Sequence, residues 1–143
     1  MYSKIMVGTD GSETAKKAVD NAIELCKSLG AELIAVSAVN MAPVSGIEKT
    51  DGKTYNKIRD EFEQHANEIL DEVEKKAAKE NLMFKRIVKL GDPADVIVEQ
   101  AKREKADLIV IGTKGLMGVQ RVVLGSHAEK IVRWSPIPVL VVR

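Results

Sequence analysis

Five short apolar runs, each separated from the next by a stretch with helical spacing, constrain this chain more than any other feature. They are Lys4–Gly8 (KIMVG), residues 33–39 (LIAVSAV), Phe84–Leu90 (FKRIVKL), residues 108–111 (LIVI) and residues 138–143 (PVLVVR). Ile5, Met6 and Val7 follow one another with no polar residue between them, which fits a strand covered on both faces. Strands alternating with helices pair in parallel through right-handed crossovers, and the helices cover both sides of the sheet. The expected fold is α/β: a three-layer α/β/α domain with a five-stranded doubly wound parallel sheet in the order 3-2-1-4-5. In that order the chain reverses between strands 1 and 4, and ligands bind outside the carboxyl ends of strands at such a reversal.

The segments between the runs fill in the helices. Ala15, Ala18, Val19, Ala22, Cys26 and Leu29 recur at three and four and form one stripe, with Lys16, Lys17, Asp20, Glu24 and Lys27 mostly off it. Asp10-Gly11-Ser12-Glu13 supplies the turn and the helix start, and Gly30 the C-cap. Residues 40–53 (NMAPVSGIEKTDGK) contain Pro43, Gly46 and Gly52 without a sustained period, so a long loop is expected there. A long charged helix follows, with Ile58, Phe62, Ile69, Val73 and Ala77 inward and a solvated face of mixed charge that includes His65. Gly91-Asp92-Pro93-Ala94-Asp95 predicts another helix start, with Asp92 as N-cap and Pro93 at the first helical position. Val96, Ile97, Ala101 and Ala106 form its buried side, and Ser126–Trp134 is the last helix.

Composition removes several classes of function. Lys plus Arg number 22 against 21 Asp plus Glu, a balance that supplies no general attraction to nucleic acid or to an anionic membrane. Aromatic residues are 3%, too few for a platform that stacks single strands. No apolar run approaches the ~20 residues of a membrane span. Met1-Tyr2-Ser3-Lys4 leads straight into a strand rather than a secretory segment, so a cytoplasmic location and a single domain over residues 1–143 are expected. Cys26 stands alone, which excludes an intramolecular disulfide and a thiolate metal site and leaves a small buried hydrophobe.

Chemistry concentrates in residues 107–133, DLIVIGTKGLMGVQRVVLGSHAEKIVR. A strand there breaks at Gly112, passes Gly115 and Gly118, and regains helical spacing only after Gly125-Ser126. Glycines let backbone N–H groups approach a phosphate, and the first turn of a helix adds unpaired donors and a positive dipole end. Bland readings stand beside this one. The alternative for Gly112 and Gly115 is a tight strand exit alone, Ser126 with Glu129 spells a capping box, and Asp10 is a common N-cap residue. His127, in the first turn, either lends a hydrogen bond to an anion or is simply a surface residue. No His, Cys or carboxylate cluster has metal-ligand spacing. The Walker pattern G-x4-G-K-[ST], a base with an orienting partner and a second carboxylate in the loop are also missing, so no catalytic residue is assigned and any ATP hydrolysis or nucleotidyl transfer is expected to be slow.

The spacing Gly112-x2-Gly115-x9-Gly125-Ser126 resembles the nucleotide loop of the universal stress protein family, in its ATP-binding branch. The likeness runs through VGTDGSE, GDPADVIVEQA, ADLIVIGTKG, LGSHAEKIVR and the terminal PVLVV. It implies an adenine-nucleotide alpha-hydrolase-like fold and ATP or another adenine nucleotide as ligand, with Mg²⁺ or Mn²⁺ bound through the phosphates rather than by protein ligands. By position, Thr9 and Asp10 meet the nucleoside and the backbone of Ala38 the adenine. Gly112, Thr113, Lys114 and Gly115 pass beside the ribose and α-phosphate, and Gly125, Ser126, His127 and Ala128 close on the outer phosphates. Many relatives carry His or Arg in place of Lys114, and His in place of Ser37, which leaves the choice of nucleotide open. The uncharged run Val139–Val142 falls at a sheet edge, which invites antiparallel pairing with a two-fold copy to form a homodimer. A nucleotide-dependent stress or regulatory protein with an unknown protein partner is the first functional expectation, a slow ATPase the second, and a dimeric adaptor without nucleotide the third.

Overall fold

The structure, a computed structural model, describes residues 1–113 and 124–143. Its elements are β1 (Lys4–Gly8), α1 (Glu13–Leu29), β2 (Glu32–Val39), a 3-10 turn (Ala42–Val44), α2 (Ser45–Thr50), α3 (Gly52–Lys79), β3 (Phe84–Leu90), α4 (Pro93–Arg103), β4 (Leu108–Gly112), α5 (Ser126–Trp134) and β5 (Val139–Val142). All five strands are parallel and lie in the order β3-β2-β1-β4-β5, as the alternation of runs predicts.

Period-two alternation splits the apolar runs between two cores. Ile5 and Val7 of β1 point to one side with Leu33 and Ala35 of β2, where Ala18, Val19, Ala22 and Cys26 of α1 and Leu70, Val73 and Ala77 of α3 cover them. Met6 points to the other side with Ile34, Val36, Ile109 and Ile111, beneath Val96, Ile97 and Ala101 of α4 and Ala128 and Ile131 of α5. Both sheet faces are thus buried, which is why the central runs contain no polar alternation. Burial pushes the Cys26 thiol up to about 11, so it stays protonated and inert near neutrality.

The helix ends follow their predicted chemistry in α1 and α4. Gly30 closes α1 at φ 67°, in the left-handed region where a Cβ is unfavourable. Asp92 caps α4 by accepting from the Asp95 N–H at 3.1 Å, with Pro93 in the first turn. At the opposite end of the sheet, one Asp107 carboxylate oxygen accepts from the Ser3 N–H, the Ser3 hydroxyl and the Lys4 N–H at 2.8, 3.0 and 3.0 Å. The Lys4 and Ser3 backbone bonds hold the Asp107 carboxyl below the usual carboxylate range and tie the start of β4 to that of β1.

Several expectations are corrected. Residues 40–53 are not an irregular loop: the 3-10 turn and α2 occupy most of the stretch, and α3 begins at Gly52. Asn40 starts this ordering by accepting from the Ala42 N–H at 3.1 Å, and Asp51 caps α3 by accepting from the Thr54 N–H at 3.1 Å. Short side-chain caps replace the apolar periodicity that the stretch lacks. Leu29 is 50% exposed, because the chain leaves the helix at Gly30, and Ile23 joins the buried stripe in its place. Along α3, Ala66, Leu70, Val73 and Ala77 are buried, whereas Ile58, Phe62 and Ile69 are only partly covered. The core clusters on the sheet hold Leu70 and the residues after it, so the N-terminal half of α3 runs past the main core.

Candidate functional site

Beyond the carboxyl ends of the central strands lies a cavity of about 740 Å³, within the range of small-molecule sites. It opens where the chain reverses between β1 and β4, and its walls come from segments far apart in sequence. β1 delivers Gly8, Thr9 and Asp10, and the end of β2 delivers Ser37, Ala38, Val39 and Asn40. From the other side come Ile111 and Gly112 of β4, followed by Gly125, Ser126, His127 and Ala128.

Local geometry explains how each segment is held. The Thr9 N–H donates to the Val36 carbonyl at 3.0 Å, continuing the β1–β2 ladder one residue past the strand. The chain then turns sharply: the Gly11 N–H donates to the Thr9 hydroxyl at 3.2 Å and the Ser12 N–H to the Asp10 carboxylate at 2.9 Å. Gly11 takes φ +80°, which an L side chain adopts only with strain. Asp10 does not cap α1. That role belongs to Ser12, whose hydroxyl accepts from the Ala15 N–H at 3.3 Å, and Asp10 is left in the cavity wall.

On the far side, the Thr113 N–H donates to the Val142 carbonyl at 3.0 Å, and the Thr113 carbonyl accepts from the Gly125 N–H at 2.7 Å. Those bonds fix the start of α5 against the end of β4. Gly125, not Ser126, is the N-cap, because its carbonyl accepts from the Glu129 N–H at 2.9 Å and its side-chain position is empty. Ser126 is therefore the first helical residue, and the capping box read from Ser126 and Glu129 is out of register by one. The N–H groups of this first turn have no intrahelical acceptor and carry the positive end of the helix dipole.

Gly112 has a packing reason of its own. A Cβ there would lie 2.8 Å from the Thr14 carbonyl carbon, carbonyl oxygen and hydroxyl, so the close approach of α1 to β4 requires glycine irrespective of any ligand. Thr113 holds the loop through its backbone and is not part of the cavity lining. Lys114 and Gly115, with Gly118 of the same loop, lie outside the described residues.

Two features were not legible as site residues. His127 sits beside Asp92, with Nε2 3.6 Å from Oδ1, so a histidine read as lacking an orienting partner has a carboxylate next to it. Lys130 joins the cluster at 3.3 Å from Asp92 and 2.9 Å from Asp95. Partial burial opposes ionisation of Asp92, but the Asp95 N–H, Lys130 and His127 outweigh it and hold the carboxyl below its ordinary value. The second feature is α3. Phe62, His65, Ala66 and Ile69 line the cavity, although the sequence pattern places His65 on the solvated face and Phe62 and Ile69 on the inner stripe. The available signal was their i, i+3, i+4, i+7 spacing, which defines a face beside that of Leu70, Val73 and Ala77.

Chemically, the cavity has two ends. The α5 end offers backbone donors and the Ser126 hydroxyl, suited to an anion. The β1–β2 end pairs the polar Thr9, Asp10, Ser37 and Asn40 with the apolar Pro43 and the α3 face. Among the described residues no group of three or more His, Cys, Asp or Glu is placed to hold a metal ion, and no helix is long and apolar enough to cross a membrane.

Fold and cavity together define a doubly wound α/β protein with a ligand-sized crevice at its switch point. Within that class the chain belongs to the universal stress protein family, whose sequence pattern matches residues 1–143. It is 36% identical to universal stress protein MJ0531 of Methanocaldococcus jannaschii, over 100% of this chain and 83% of that one. It is 33% identical to universal stress protein YxiE of Bacillus subtilis, over 100% of both. Among solved structures, the universal stress protein UspA from Lactobacillus plantarum superposes with TM-score 0.87 at 25% identity, covering 99% of this chain and 98% of that one. A universal stress protein in complex with cAMP superposes with TM-score 0.71 at 29% identity, covering 99% and 97%.

Proposed function

We propose that this chain is an adenine-nucleotide-binding regulatory protein of the universal stress family, with ATP as its ligand. The observation that carries the reading is the convergence of the ends of β1, β2 and β4 with the start of α5 on one cavity. Thr9, Asp10 and Ala38 would meet the nucleoside, and Gly125, Ser126, His127 and Ala128 the phosphates, with Gly112, Thr113, Lys114 and Gly115 forming the turn between them. The cAMP complex of a relative 29% identical to this chain supports an adenine nucleotide in this fold. Mg²⁺ or Mn²⁺ would ride on the phosphates and water, since a carboxylate such as Asp10 near a triphosphate calls for a bridging cation or hydroxyl donors. Hydrolysis in the pocket, if present, falls below the ~1 to 10³ per second of ordinary enzymes.

The test starts with freshly purified protein, denatured and separated so that released nucleotide is identified by mass spectrometry; ATP, AMP and GTP are then titrated onto the stripped chain. Adenine nucleotide in the release, or saturable binding of ATP, is expected. No binding of any of the three would sink the proposal and favour an adaptor role. The same reading includes a homodimer through β5, a sheet edge whose Leu140 is partly exposed. Sedimentation as a single chain at micromolar concentration would contradict that pairing.

A further inference from the structure

We infer that one face of α3 is the base-binding wall of this cavity, with Phe62 against the ring of the purine and His65 hydrogen-bonding to its edge. The inference rests on the nucleotide reading above and assigns residues to it that no strand end or glycine loop supplies.

Three observations converge. Phe62, His65, Ala66 and Ile69 occupy successive turns of one helical face, and all four line the cavity. Of that face only Ala66 belongs to a core cluster. Leu70, Val73 and Ala77 carry the packing of α3 on the sheet, and neither Phe62 nor Ile69 belongs to any of the three core clusters. Phe62 remains 39% exposed, an aromatic ring without a full set of neighbours in a chain that has only two phenylalanines.

Placement is the second observation. Ala66 packs with Val39, the last residue of β2, and with Met41 just beyond it, while the Ile69 side chain lies 3.1 Å from where a Cβ on Gly11 would sit, just past the end of β1. The face therefore spans the gap between the two strand ends that hold Thr9, Asp10 and Ala38. A base seated against the Ala38 backbone has α3 as its neighbour.

Chemistry is the third. The α3 lining contains no lysine or arginine, only apolar groups and one imidazole. A phosphate gains nothing from such a wall. A flat heterocycle with a polar edge gains dispersion over its face and a hydrogen bond at its rim, because imidazole both donates and accepts.

The test compares ATP with ribose 5-triphosphate, which keeps the sugar and phosphates but lacks the base, by calorimetric titration of the full chain. For Phe62→Ala, ATP affinity is expected to fall roughly fivefold to a hundredfold, the range for losing a base-stacking aromatic, with ribose 5-triphosphate unchanged. For His65→Ala the ATP loss is about fivefold, the scale of one hydrogen bond. Phe62→Leu, which keeps apolar volume without the aromatic face, should fall between wild type and Phe62→Ala. Both side chains are substantially exposed, so the variants should melt close to wild type. Unaltered ATP affinity in Phe62→Ala and His65→Ala, or an equal loss for both ligands, overturns the base contact while leaving nucleotide binding intact. Equal binding of the two ligands by wild type also overturns it. Absence of any ATP binding by wild type overturns this inference together with the proposed function.

Discussion

Replacing Gly112 with alanine is expected to destabilise the protein by about 1–3 kcal/mol, the usual cost of forcing extra atoms into a filled site, and, on the proposed nucleotide reading, to weaken ATP binding as well. The new Cβ would meet the carbonyl carbon and oxygen of Thr14 at 2.8 Å. Those atoms are backbone in the first turn of α1, and backbone cannot rotate aside as a side chain does, so α1 must shift from the sheet. The effect reaches the cavity because Gly112 lines it and because the next residue, Thr113, fixes Gly125 at the start of α5. Gly8→Ala is the informative control. Its Cβ would come within 2.4 Å of an Ile97 side-chain methyl, which a rotamer change relieves. Urea denaturation of the two variants should show the larger fall in midpoint for Gly112→Ala with unchanged slope. Equal midpoints would mean that the approach of Thr14 is not tight in solution.

Leu70→Ala should cost about 2–5 kcal/mol, from lost burial and from the cavity left behind. Leu70 is 0% exposed, and together with Val73 and Ala77 it carries the contact of α3 with the sheet. Because α3 is 28 residues long and much of its surface faces water, a few buried side chains hold a large element. Domains of this size are stable by only about 5–15 kcal/mol, so this one truncation removes a large share. Thermal denaturation with the circular dichroism signal of the helices as readout measures it. A loss under about 1 kcal/mol would show that α3 stays docked by other contacts, and that Leu70 is not the anchor.

The two results bear on each other through the cavity. α3 lines one side of it, and the end of β4 with the start of α5 lines another, so on the nucleotide reading loosening either should lower nucleotide affinity, Leu70→Ala without altering a residue assigned to the ligand. If ATP is the ligand as proposed, saturating ATP should in turn raise the melting temperature of wild type, because a ligand that binds only the folded state stabilises it by mass action.

Much of this architecture is written locally. The three uncharged residues Ile5, Met6 and Val7 announce a strand covered on both faces, and the structure buries all three. Asp92-Pro93 announces a helix start, and Asp92 caps α4. Gly30 announces a helix end and takes φ 67°. Each feature depends on neighbours in the chain, which a sequence displays. The stretch 40–53 went unread as helix because α2 is short, its caps are single side chains, and its glycines and proline mask the period. Ser126 reads in sequence as the N-cap, one helix position too early, because a serine cap and a glycine N-cap followed by serine present the same S-x-x-E spacing.

What the sequence by itself determined is the five strands and their four long or capped helices, the order of the sheet, and the position of the crevice, but not the 3-10 turn or α2, since hydrophobic period, caps and the handedness of crossovers leave one economical arrangement. Only the tertiary structure decided which side chains face that crevice. In sequence His65 reads as a solvated helix residue and Asp92 as an N-cap, neither as part of a site. One reaches the cavity wall because its helix overhangs the strand ends, and the other meets His127 because α4 and α5 start side by side on the same sheet face. Gly112, which reads in sequence as a phosphate-loop residue or a tight strand exit, carries a further requirement that only the fold shows: the backbone of Thr14, nearly a hundred positions away, occupies the space a Cβ would take. Contacts of that kind depend on how far a helix extends past the sheet and how closely two elements approach, quantities set by packing in three dimensions that no local pattern encodes.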